Sequence, residues 1–197
     1  MRGRSQEACA IAMMTAACLA TNYALIGLPN VKLMDFLVFA SGFLFGSWPG
    51  ALVGALTWLI YGFLNPYGFS LPIYIATATS ETIYGIVGGL MGKSGALSEE
   101  RSLARSTYLM AALGFLLTAT YDLITNIAFS LAYGIPLALA LASGAVLALI
   151  HEVSNAVIFA ACTPALLKLP RLLGLPPHGG RAISKGDDID EGKVGLD

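Results

Sequence analysis

Apolar residues fill this chain from Ala8 to Ala165 in six long runs, most of them without a polar face. A half-buried helix or strand in water alternates apolar and polar positions with the period of its own geometry. These runs instead have the continuity of helices surrounded by lipid. They predict helices at about Glu7–Leu28, Leu33–Phe45, Ala51–Leu64, Leu71–Met91, Ser106–Tyr133 and Leu137–Cys162. Between them stand turn and loop signals: Pro29-Asn30, the tight turn Ser47-Trp48-Pro49-Gly50, Asn65-Pro66-Tyr67-Gly68, the polar stretch Gly92–Arg105, and Gly134 with Pro136. Pro164 and Pro170 break the last run. The expected fold is all-α, a polytopic membrane protein built as a six-transmembrane-helix bundle over residues 1–170. From Gly174 the composition turns to Pro, Gly and acidic residues, so residues 171–197 are expected to form a flexible cytoplasmic tail. The first run is long enough to span and no soluble domain follows it, so it is expected to be a retained helix rather than a signal peptide.

Composition agrees with this class. The chain is 56% apolar and 12% charged, against about 25% charged in a typical soluble domain. No basic patch interleaved with aromatics occurs, which excludes nucleic acid as an expected partner. Cys9, Cys18 and Cys162 make neither a disulfide framework nor a CxxC metal pair. Charge placement is more informative. Of the eleven Lys and Arg, ten lie before the first run, between the fourth and fifth, or after the sixth. Alternate threading of six helices puts those places on one side, and only Lys32 on the other. By the positive-inside rule this sets a multi-pass protein of the cell membrane with both termini cytoplasmic. Trp48, Tyr67, Tyr108 and Tyr133 fall near span ends, where aromatics anchor to the interface.

Two patterns of small residues run along the helices. Ala8, Ala12, Ala16 and Ala20 recur every fourth residue and share one face of the first helix. Such a face packs closely, either against this chain's own helices or against a partner. Gly42, Gly46, Gly50 and Gly54 form a second column, and Gly85, Gly88, Gly89 and Gly92 a third, both expected to serve close packing inside the protein.

An ionisable side chain in mid-membrane costs roughly 2.5–3.5 kcal/mol on insertion scales, so it faces the bundle interior or a wet cavity. The fourth helix carries Thr77, Glu81 and Tyr84 at i, i+4 and i+7; the fifth carries Asp122 and Asn126 at i, i+4; the sixth carries His151 and Asn155 at i, i+4, with Glu152 adjacent. Counted from the helix ends, these lie at similar depth. Two readings compete. Asp122 pairs with His151, and Asn126 and Asn155 make interhelical hydrogen bonds, as structural glue; or the whole set lines a hydrated pocket open to the exterior. The number of polar groups favours the pocket. Three carboxylates against one imidazole favour a cationic or hydrogen-bond-donating ligand.

Two apparent motifs fail on inspection. Gly92-Lys93-Ser94 looks like the end of a phosphate-binding loop, but Val87 stands where the first glycine is required and a membrane helix precedes it. His151-Glu152-Val153-Ser154-Asn155 looks like a zinc-protease helix with Asn155 in place of the second His, a poor zinc ligand. No metal site, cofactor or enzymatic activity is expected.

The alanine column, the Pro-Asn turn after it, the stretch Phe43-Leu44-Phe45-Gly46-Ser47-Trp48-Pro49-Gly50-Ala51-Leu52-Val53-Gly54, the Asn65-Pro66-Tyr67-Gly68 stop and Tyr121-Asp122-Leu123-Ile124-Thr125-Asn126 together resemble the substrate-binding S components of energy-coupling factor (ECF) vitamin transporters. The resemblance covers roughly residues 8–167. It implies a six-helix bundle without ATPase activity that captures a small-molecule micronutrient from outside. It also implies docking on a transmembrane coupling protein joined to two cytoplasmic ATPases, with the bundle toppling in the lipid bilayer to carry the ligand inward. Carried over, the docking face is Ala8, Ala12, Ala16 and Ala20. The substrate site is Glu81, Tyr84, Asp122, Asn126, His151, Glu152 and Asn155, with Asn30 and Lys32 as lid residues. The family's metal-ion branch has an N-terminal Met-x-His that Met1-Arg2-Gly3 lacks, which points to an organic micronutrient. The alternatives are a scaffold protein of the cell envelope, or a membrane enzyme using Glu152 as base with His151 or Asp122.

Overall fold

The computed structural model describes residues 4–66, 68–97 and 102–175. Tyr67 and residues 176–197 of the expected tail lie outside the described residues. Six helices follow one another: α1 (Arg4–Ala24), α2 (Met34–Phe45), α3 (Ser47–Leu64), α4 (Leu71–Ser94), α5 (Leu103–Tyr133) and α6 (Leu137–Leu172). No strand occurs among the described residues. The helices α3, α5 and α6 are long and apolar enough to cross a membrane, and α2 is apolar but only 12 residues long. The all-helical fold expected from the sequence is found among the described residues.

Helix ends depart from the sequence pattern in three instructive places. The expected four-residue turn before α3 shrinks to Gly46, whose φ of 106° reverses the chain by itself. Ser47, Trp48 and Pro49 already belong to the first turn of α3, where proline's missing N–H costs nothing because first-turn donors have no partner inside the helix. The expected stop at Cys162 also fails, since α6 runs through Pro164 and Pro170 to Leu172. Leu166 and Leu167 in those last turns are buried in the core, and that packing outweighs the proline penalty. The first helix ends at Ala24 rather than Leu28, short of Gly27 and of Leu28, whose backbone is restricted by Pro29.

The helix α2 is the centre of the bundle, with ten of its twelve residues buried. Against it, α3 and α4 approach at backbone distance. A Cβ on Gly42 would collide with the Gly85 carbonyl oxygen, one on Gly85 with the Gly50 carbonyl, one on Gly88 with the Phe39 carbonyl oxygen, and one on Gly89 with the Ser47 amide. These glycine columns therefore serve internal packing, as the spacing predicts. The helices α5 and α6 pack chiefly on each other and close the bundle against α4 and α2. Leu116, Leu123, Leu131, Val146, Leu149 and Val157 are exposed on their outer faces. The helix α1 lies on α2 and α3, turning Thr15, Cys18 and Asn22 inward. Ala8, Ala12, Ala16 and Ala20 are all exposed on its outer side, so packing among the described residues does not use that face.

Candidate functional site

One polar cluster crosses the joint between the α5–α6 pair and the rest of the bundle. Its hub is Asp35, in the first turn of α2 and buried there because α2 itself is enclosed. Asp35 Oδ2 lies 2.8 Å from His151 Nε2 and accepts from Asn155 Nδ2 at 2.6 Å. His151 and Asn155, one helical turn apart on α6, thus grip the same carboxylate oxygen. The other ring nitrogen of His151, Nδ1, lies 3.0 and 3.2 Å from the two carboxylate oxygens of Asp122 on α5. The second Asn155 N–H donates to Thr118 Oγ1 at 2.8 Å, and Tyr84 OH on α4 donates to the same oxygen at 2.9 Å. Thr118 in turn donates to the Gly114 carbonyl one turn back along α5. Four helices are tied at one point.

Glu81, one turn before Tyr84 on α4, is fully buried and accepts from Trp58 Nε1 of α3 at 3.1 Å. The Trp58 ring stacks with Tyr121 at 6.2 Å between centroids. The Lys32 ammonium, from the connection before α2, sits 4.9 Å from the Trp58 ring centroid and 5.2 Å from that of Tyr121. That is cation–π range on both rings. Tyr121 also meets His151 edge-on at 5.8 Å, so the aromatic cage and the Asp–His–Asp chain share a wall.

Hydrogen counting constrains the chemistry. An imidazole with a carboxylate at each nitrogen makes both bonds only when two protons are shared along Asp122–His151–Asp35. Three oxygens in the same cluster, Asp35 Oδ1, Glu81 Oε1 and Asn155 Oδ1, are buried and have no hydrogen-bond partner. All three can accept a hydrogen bond, and the protein offers none of them a donor. Metal chelation does not fit. The two aspartates address opposite ring nitrogens and cannot converge on one ion, and no group of three metal-type ligands converges among the described residues.

Of the residues singled out from sequence, the structure brings together Glu81, Tyr84, Asp122, His151 and Asn155, and it confirms the Asp122–His151 pairing. Lys32 joins them through the aromatic cage. Asn126 does not: its Nδ2 donates to the Asp122 carbonyl of its own helix at 2.7 Å, because at i+4 the amide reaches back down α5 rather than across. Glu152 is half-buried, one residue round α6 from the face that carries His151. Asn30, in the left-handed region at φ 55°, donates from Nδ2 to the Leu147 carbonyl on α6 at 2.8 Å. It straps the α1–α2 connection over the bundle and lies apart from the cluster's hydrogen bonds. The expected hydrated pocket open to the exterior is replaced by a sealed cluster, since Glu81, Tyr84, His151 and Asn155 have no exposed surface. Each of these four residues makes at least one hydrogen bond within the protein, Glu81 Oε1 and Asn155 Oδ1 remaining unpaired, and Tyr121, Phe159 and Trp58 pack round them.

Asp35, Trp58 and Thr118 are absent from the sequence-derived set. The rule that selects Glu81 and Asp122, a carboxylate inside an apolar run, selects Asp35 equally well; its place beside a turn hides it. Thr118, at i−4 from Asp122, shares the face that Asp122 presents. Nothing in the sequence marks Trp58, since a tryptophan in an apolar helix is unremarked until its N–H needs a partner. Comparison of the chain with protein-family models, curated proteins and solved structures finds no match.

Proposed function

We propose that this chain is the membrane substrate-capture subunit of an ECF-type importer. It binds a small organic, vitamin-like solute from outside at the cluster around Asp35, Glu81 and His151, and performs no enzymatic turnover. In this reading all six helices lie in the cell membrane with both termini on the cytoplasmic side. The outward small-residue face of α1 docks a transmembrane coupling protein that serves two cytoplasmic ATPases.

The observation that carries the reading is the donor-poor cluster. Helices α2, α4, α5 and α6 send ionisable and amide groups to one buried place, and three acceptor oxygens there have no partner. Each such orphan costs about 1–3 kcal/mol, a burden that packing alone gives no reason to keep. A hydrogen-bond-donating solute would satisfy them. The exposure of Ala8, Ala12, Ala16 and Ala20 supports the docking half, because no helix among the described residues covers them.

Native mass spectrometry of the full chain, released from detergent, tests the capture reading. A bound small molecule is expected in the wild type and lost in Glu81→Gln. Absence of both a bound molecule and saturable uptake by cells expressing the chain with a coupling module would overturn it. Ala12→Trp is expected to abolish assembly with that module while leaving the bound molecule in place; unchanged assembly removes α1 as the docking face.

The closure of the cluster favours one other reading, an envelope scaffold whose polar groups only hold the helices together. It requires Glu81→Gln and Asp122→Asn to alter stability alone.

A further inference from the structure

The α1–α2 connection places a cation of this protein inside a cage suited to a cation from elsewhere. We infer that the Lys32 ammonium, held over the stacked Trp58 and Tyr121 rings beside Glu81, occupies the seat of the substrate's own positive group, so that the substrate is a small organic cation that displaces Lys32. This rests on the capture reading and names its substrate class.

The geometry supports the exchange from three sides. Two aromatic faces within about 6 Å of a cation recognise alkylammonium and flat heteroaromatic cations by the ring quadrupole, and Nζ lies 4.9 and 5.2 Å from the two centroids. The cage is anchored to a carboxylate, since Trp58 Nε1 is bound to Glu81 Oε2 while Oε1 has no partner. Lys32 stands on the connection between α1 and α2, outside both helices, and is half-buried, so it can leave without unpacking the core. An anionic substrate would meet Asp35, Glu81 and Asp122 together. A tethered ammonium makes the cage competent for an external cation only in the fraction of time that it is vacated, and weakens apparent binding by that fraction.

The chain's two tryptophans separate cleanly: Trp48 is 69% exposed and Trp58 is 9% exposed. In the full chain carrying Trp48→Phe, Trp58 is the sole indole and reports on the cage. N-methylpyridinium, a flat cation that quenches indole on contact, is titrated with benzoate as the anionic control. Saturable quenching by N-methylpyridinium is expected, with its apparent Kd lowered about tenfold or more by Lys32→Met and unchanged by Lys32→Arg, which keeps the tethered charge. Benzoate is expected to give no saturation in any variant. Equal N-methylpyridinium affinity in Lys32→Met and wild type, or saturable binding of benzoate, overturns the inference. A co-purified solute found to be neutral or anionic overturns it too, while leaving the capture reading intact. Absence of both a co-purified solute and saturable quenching in every variant overturns the two together. Lys32→Gln, a second neutral variant with a polar side chain, repeats the test should Lys32→Met fail to fold.

Discussion

Where α2, α3 and α4 meet, backbone lies against backbone. Gly42, Gly50, Gly85, Gly88 and Gly89 leave no room for a single added carbon. Where the α5–α6 pair meets those helices, the contact is made by Asp35 with His151 and Asn155 and by Tyr84 with Thr118, flanked by the Phe159 ring against Phe36 and Phe39. The glycine side derives its cohesion from dispersion and backbone proximity, which is how helices associate where lipid removes the hydrophobic drive. It has one arrangement. The polar joint is made of donors and acceptors that can be exchanged for those of a solute, at a cost set by what replaces them. Under the proposed capture role, a bundle that holds its shape and still admits a ligand has reason to use both kinds of contact, each in its own place.

Substitutions can break this contrast in graded steps. The largest effect is expected from His151→Leu, which leaves Asp35 and Asp122 buried without their shared partner; breaking a buried ion pair costs about 3–5 kcal/mol. Reversible unfolding of the full chain in detergent reads this directly, and a loss below about 1 kcal/mol would mean that the joint is held by Phe159 rather than by charge. On the other side, Gly85→Ala drives a Cβ into the Gly50 carbonyl and is expected to cost about 1–3 kcal/mol by overpacking. Its control, Gly27→Ala, meets nothing within 4 Å and is expected to stay within about 0.5 kcal/mol of wild type. Equal melting temperatures for the two alanine variants would show that α3 and α4 yield to accommodate bulk. The smallest effect is expected from Tyr84→Phe, about 1 kcal/mol for one interhelical hydrogen bond. A double-mutant cycle with Thr118→Val isolates that bond, and zero coupling would remove Tyr84 from the joint.

Much of this contrast is legible in the sequence. The period-four glycines foretell the close-packed side, and the His151–Asn155 pair on α6 with Asp122 on α5 foretells which faces meet. Their partner does not show. Asp35 is the hub because α2 is enclosed by α3, α4 and α6, and enclosure is a property of the assembled bundle rather than of the twelve residues of α2. The run through Pro164 and Pro170 is invisible for the same reason: local proline rules end α6, and the burial of Leu166 and Leu167 continues it. Sequence also gives no measure of closure. A row of carboxylates and amides looks wet until the helices are brought together and bury it, with most but not all of its polar atoms paired.

The enclosure of α2 has a mechanical consequence. At ~1.5 Å per residue α2 is only ~18 Å long, against ~46 Å for α5 and ~54 Å for α6, while a bilayer's hydrocarbon core is about 30 Å thick. The short helix escapes mismatch because protein surrounds it. The surplus length falls on α5 and α6, whose outer faces are apolar and exposed, and long spans answer a thin bilayer by leaning over. His151 and Asn155 ride on the helix that leans, and Asp35 on the one that does not. Under the proposed capture role, membrane thickness presses on the alignment of the buried acid–imidazole chain, and lipid composition is expected to act on solute affinity without touching the solute.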